Sequence, residues 1–143
     1  MKWKHLMVIL LCALSLAQMA RAAADEPPPV VIAGLDAYRT NGLKGAYEIW
    51  SKGSLENDKG SRDMVLTGLG QVESAYGKMT GYDIVKTVPI GSVVKRVYLV
   101  VHYERGPVYA YMDCYNTAEK WLVTDLLFHT KANLVFPPKL LGG

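Results

Sequence analysis

Val93 to Glu104 reads Val-Val-Lys-Arg-Val-Tyr-Leu-Val-Val-His-Tyr-Glu. That density of β-branched and aromatic residues suits a long strand on a pleated, half-buried surface. Arg105-Gly106-Pro107 then reads as a hairpin loop and Val108 to Asn116 as the next strand. An even loop of two or four residues around Arg105-Gly106 faces Tyr103 to Val108, Val101 to Ala110, Leu99 to Met112 and Val97 to Cys114, so that all eight share one side. An odd loop would mix this set with the polar one, so the hydrophobic pattern selects the even loop. The opposite side carries Tyr98, His102, Tyr109, Tyr111, Asp113 and Tyr115.

On the C-terminal side, Thr117 to Lys120 is a second loop and Trp121 to Thr130 a last strand, before Asn133 and Pro137-Pro138 end the fold. A three- or five-residue loop places Leu126 against Met112 and Phe128 against Ala110. It also sets Asp113 opposite Asp125, a like-charge pair that solvent or a partner must relieve. On the N-terminal side, Tyr82 to Val88 is a strand ended by Pro89, Gly91 and Ser92. Short loops between successive strands make the four an antiparallel meander.

Ahead of the strands the spacing is helical. Ile32, Leu35 and Tyr38 lie on one face of Val30 to Thr40, and Ala46, Tyr47, Ile49 and Trp50 on one face of Leu43 to Lys52. Asn41-Gly42 marks a helix end or tight bend between them, and Gly53 stands where a left-handed cap is wanted. After the polar connection Leu55 to Gly60, a third helix is expected from Ser61, capped by its hydroxyl, with Asp63 in the first turn. Val65, Leu69, Val72 and Tyr76 form its apolar stripe, and Gly68 and Gly70 make it depend on tertiary packing. The chain therefore reads as α+β, with two or three N-terminal helices packed on one face of a curved four-stranded antiparallel meander.

The extreme N-terminus has a different pattern. Lys2 and Lys4 precede an apolar run from Leu6 to Ala17, and small residues follow around Ala20 to Ala24. This is the order of a secretory signal, and a run of about a dozen residues falls short of the ~20 needed for a permanent membrane span. Cleavage is expected before Asp25 or before Ala23, leaving a periplasmic or secreted bacterial protein. Residues 1–24 are then the signal, 25–29 a Pro-rich tether, 30–138 one domain and 139–143 a tail. The whole chain has 16 Lys and Arg against 13 Asp and Glu. Lys2, Lys4 and Arg21 account for that excess, so the mature chain is formally neutral and lacks the basic footprint of a nucleic-acid binder. Cys12 leaves with the signal, and Cys114 remains with no cysteine to pair with.

The helices-then-meander order resembles the cystatin-like α+β architecture of the nuclear transport factor 2-like superfamily. Asp36-Ala37-Tyr38 through Gly45-Ala46-Tyr47-Glu48-Ile49-Trp50 carries the likeness, together with Lys120-Trp121-Leu122-Val123 through Phe128-His129-Thr130. It extends over roughly Val30 to Pro137. The resemblance implies an exported bacterial member of a superfamily that includes isomerases, dehydratases, scaffolds and ligand binders, and the fold alone selects no activity among these. No local motif aligns with the superfamily's catalytic residues, and none is carried over.

Candidate chemistry is sparse. His102 and His129 share the sheet side of Tyr109, as a metal pair or acid-base site would require, but no third ligand stands at a recognisable spacing. Two partly exposed strand histidines are the simpler account of them. Asp113 and Asp125 are candidate paired carboxylates. Cys114 faces the apolar side, where a thiol resists ionisation. Tyr38, Tyr47, Trp50 and Tyr76 either line a ligand cone between helices and sheet or form plain core. Tyr98, Tyr109, Tyr111 and Tyr115 form a candidate outer interface for a homodimer or protein partner. The sequence contains no phosphate loop, nucleophile elbow or zinc signature, and it names no cofactor. The expected role is a non-enzymatic exported domain binding a small apolar ligand or a protein. The alternative is a small isomerase, dehydratase or hydrolase with its site in the cone. An open cone with a buried polar pair at its base favours the enzyme; a cone filled by Met64, Trp50 and Leu99 favours binding through the outer face.

Overall fold

The computed structural model describes residues 26–54 and 58–142. The expected signal segment and its cleavage point lie outside the described residues. The Pro-rich lead does not behave as a tether. Pro28 is fully buried, Lys95 Nζ donates to the Glu26 carbonyl at 3.0 Å, and Pro29 opens the first helix. Proline fits there because its missing N–H falls on a position without an intrahelical partner.

Helix α1 spans Pro29–Trp50 and is broken at Gly42, whose φ of 73° and ψ of −178° leave the helical region. The break falls on the expected Asn41-Gly42. Across it the chain doubles back. Trp50 Nε1 donates to the Val31 carbonyl at 3.5 Å, whereas in a straight helix these residues would stand about 28 Å apart along the axis. Gly34 receives the Trp50 indole, and a Cβ built on it would overlap the ring.

Helix α2 spans Lys59–Tyr76, and its cap corrects the sequence expectation. Asp58, not Ser61, occupies the N-cap and accepts from the amides of Gly60 at 2.8 Å and Ser61 at 3.1 Å. Ser61 Oγ instead donates to the other Asp58 oxygen at 2.7 Å. That hydroxyl and the two amides hold the Asp58 pKa below its ordinary value. A carboxylate outcompetes a hydroxyl here because it accepts several bonds at once and carries charge of the right sign for a helix start.

The sheet contains β1 (Met79–Ile90), β2 (Val94–Tyr103), β3 (Gly106–Asn116) and β4 (Trp121–His129), in that order and antiparallel throughout. The architecture is α+β, with two helices against a four-stranded meander. β1 outruns its expected limits at both ends, and Pro89 pairs with Lys95 instead of ending the strand. An edge strand tolerates proline where no ladder partner needs its N–H.

Both hairpins refine the expected registers. The first has the two-residue loop Glu104-Arg105, so Val101 pairs with Val108, Leu99 with Ala110 and Val97 with Met112. The partners expected from the four-residue loop are displaced by two, which leaves every side chain on its expected face. The second loop has four residues, with Asn116 paired to Trp121, yet Met112 still meets Leu126, Ala110 meets Phe128 and Asp113 meets Asp125. A β-bulge reconciles the two. Thr124 is the extra residue, and its hydroxyl donates to the Asp113 carbonyl at 3.2 Å.

The principal core lies between the inner sheet face and α1, where Val97, Leu99, Val108, Met112 and Cys114 meet Val31, Leu35 and Trp50. Burial pushes the Cys114 thiol up to about 12. At pH 8, labelling of native Cys114 by a maleimide should therefore run at least about a hundredfold slower than in the denatured chain. Comparable rates would place the strand the other way round.

A second apolar cluster corrects the expected end of the fold. Beyond Asn133 the chain continues through short 3-10 turns at Ala132–Leu134 and Pro138–Leu140 and lays Val135 and Phe136 across the outer sheet face. Leu140, read from the sequence as tail, packs beside them. Among the described residues no helix is long and apolar enough to cross a membrane.

Candidate functional site

The outer face is not the open tyrosine patch that alternation alone implies. Tyr98 is only 9% exposed, because Phe136 sets its ring edge-on against Tyr98 at 5.8 Å and against Tyr109 at 5.5 Å. Tyr111 packs edge-on to Tyr98 and lies under the Arg96 guanidinium, 4.1 Å from its ring centre. Tyr115 keeps 42% of its surface exposed, and Ile90 and Leu127 are also exposed on this face.

Of the polar candidates, Asp113 and Asp125 do meet across β3 and β4. Their repulsion is relieved from two directions. Arg96, paired with Asp113 across β2 and β3, grips it with Nε at 2.7 Å and Nη2 at 2.6 Å, and Tyr111 Oη donates to Asp125 at 3.2 Å. The bond to Asp113 raises the Arg96 pKa above its already high value, so this guanidinium is a permanent countercharge. Asp113 is thereby ion-paired within the sheet, while Asp125 is held only by the Tyr111 hydroxyl.

His102 and His129 are not brought together. His102 pairs with Pro107 and His129 with Tyr109, leaving β3 between them. His102 Nε2 stands 2.8 Å from Asp83 Oδ2, and His129 Nδ1 accepts from the Lys131 amide at 2.9 Å. Among the described residues no group of three or more His, Cys, Asp or Glu could hold a metal ion.

The cone between helices and sheet is closed. Tyr38 and Tyr103, 3% and 6% exposed, join hydroxyls at 2.9 Å near its base. Desolvation, above all, raises the pKa of both phenols, which keeps them protonated. The void beside them measures about 20 Å³ between Leu35, Trp50, Leu99 and Met112, room for roughly one water. Trp50 and Leu99, two of the three residues expected to fill the cone, line this void. Met64 does not, for it stands 76% exposed outside it.

Several openings remain on the surface of the described residues, one of them of about 340 Å³ beside Val72, Tyr76, Phe128 and His129. An apolar groove of about 190 Å³ runs between the end of α1, the start of α2 and β4, with Trp50, Met64, Val65 and Leu126 as its walls and Ser61 and Asp125 at its rim. A polar cleft of about 420 Å³ lies at the opposite end of the helices, among Tyr38, Arg39, Gly42, Glu73, Lys78 and Glu104.

Sequence reasoning missed Arg96, Phe136 and the four charged residues of the cleft. A signal existed for the first, since Arg96 falls in the outer alternation set beside Tyr98. Leu134-Val135-Phe136 is an apolar triplet inside the expected domain of residues 30–138, but no helix or strand period runs through it. Arg39, Glu73, Lys78 and Glu104 come from four separate elements, and no local pattern joins them.

No protein-family model, no curated protein and no solved structure matches this chain.

Proposed function

We propose that this protein is an exported, non-enzymatic binding domain of the nuclear transport factor 2-like, cystatin-like type, and that it takes an apolar group in the groove between α1, α2 and β4. The filled cone carries this reading. A reaction chamber inside the cone would need enclosed space between helices and sheet, and the void there measures only about 20 Å³, while the larger cleft that Tyr38 also borders lies outside it. The binding surface is then external. A groove of about 190 Å³ is small beside ordinary ligand sites of roughly 300–1,000 Å³, but cavities of about 150 Å³ hold one benzene ring. It suits a single ring or a branched side chain presented by a larger partner, with Met64 as an exposed, adaptable contact.

Toluene titrated against the methyl NMR signals of Met64, Val65, Val123 and Leu126 tests the groove. Saturable shifts confined to these residues are expected. Met64→Glu should weaken them at least tenfold while the spectrum stays dispersed, because Met64 contributes little to the core. Absence of saturation, or indifference to that substitution, refutes the groove as the binding site.

A further inference from the structure

The polar cleft is independent of the apolar groove and is built from side chains the groove does not use. Arg39 lies in α1 just before the break, and the turn of the chain at Gly42 leaves open space where a continuous helix would place its next turn. Glu73 occupies the last turn of α2, Lys78 follows the cap Gly77, and Glu104 begins the first hairpin loop. Glu104 is held in place, since its carboxylate accepts from the Lys78 amide at 3.2 Å. A Cβ at Gly77 would overlap that carboxylate, so glycine is required both for the positive φ of 84° and for the close approach. Tyr38 forms the apolar wall behind these charges.

The charge arrangement restricts what fits. Glu73 lies beside the C-terminal end of α2, where the helix dipole favours a cation. Arg39 forms a loose, exposed ion pair with Asp36 at 3.9 Å, too long for a hydrogen bond, so that its guanidinium can serve a second acceptor beside it. A simple anion would meet Glu73 and Glu104, and a simple cation would meet Arg39 and Lys78. A molecule carrying both charges satisfies all four. The volume of about 420 Å³ falls within the ordinary range of small-molecule sites. We propose that this cleft binds a free α-amino acid, its ammonium held by Glu73 and Glu104 and its carboxylate by Arg39 and Lys78.

The test uses the mature protein and the twenty α-amino acids, first pooled and then singly, with backbone amide NMR shifts as the readout. Saturable shifts at Gly42, Gly77 and Lys78 are expected for at least one of them. The N-acetyl and methyl ester derivatives of that amino acid each lack one charge and should bind at least tenfold more weakly. Glu73→Gln and Arg39→Gln should each weaken the parent compound by a similar factor, and a dispersed spectrum will show that both variants fold. Shifts absent at 10 mM of every amino acid, on the order of the weakest affinity a two-charge contact would give, overturn the proposal. So do derivatives that bind as well as the parent, or shifts confined to Met64 and Leu126.

Discussion

Gly34→Ala should destabilise the domain by about 3 kcal/mol, lowering its melting temperature by roughly 10 °C or more. Local and tertiary physics predict opposite signs at this position. In an isolated helix, alanine is favoured over glycine by about 1 kcal/mol, so propensity alone makes this substitution stabilising. The Trp50 indole lies against the Gly34 backbone, however, and an added methyl would overlap it. The ring is buried and its Nε1 is directed at the Val31 carbonyl, so it moves only by giving up packing on both sides of the break in α1. Urea denaturation of Gly34→Ala, Trp50→Leu and the double variant separates the terms. Trp50→Leu alone should cost about 2–4 kcal/mol, and the double variant should cost less than the sum, because leucine frees the space the methyl needs. A stabilised Gly34→Ala, or strict additivity, would show that the two halves of α1 do not pack as described.

The second large effect is expected at Phe136. Its ring closes the outer cluster by edge-on contacts with Tyr98 and Tyr109, each such pair contributing about 0.5–1.5 kcal/mol beyond the area it buries. Truncating a buried phenylalanine to alanine typically costs 3–5 kcal/mol. Here the segment consists of short 3-10 turns outside the sheet ladder, so part of that loss should appear as local detachment and not as global unfolding. Phe136→Ala should lower the global stability by about 2 kcal/mol, abolish amide-exchange protection between Ala132 and Leu140, and raise binding of an apolar dye as Tyr98 becomes exposed. Sedimentation of the same variant at micromolar concentration should show self-association through the uncovered tyrosines. A variant with unchanged exchange and no dye uptake would mean that this segment does not cover the outer face.

Much of the fold was legible because it depends on period and composition. The run from Val93 to Glu104 commits itself to a strand by its valines and aromatics, and the inner and outer sets of β2 and β3 follow from alternation. A two-residue displacement of the expected partners left those sets intact. The second hairpin illustrates the limit. An odd loop was needed to bring Asp113 opposite Asp125, whereas the chain uses an even loop and a bulge at Thr124, two local devices with the same consequence for register. The cap of α2 was misplaced for a related reason. Asp58 and Ser61 are both good capping residues three positions apart, and only their geometry shows that one caps while the other supports it.

The sequence by itself determined the order of elements, the break at Gly42, the faces of the central strands and the burial of Cys114, since each rests on chain-local chemistry or on a period of two or 3.6 residues. Tertiary structure alone decided that the cone is closed, that Phe136 covers Tyr98, that Arg96 neutralises Asp113, and that Arg39, Glu73, Lys78 and Glu104 share one cleft. These depend on distances between residues far apart in the chain. Such distances follow from how whole faces pack and how far a terminal segment reaches, and no period in the sequence encodes them.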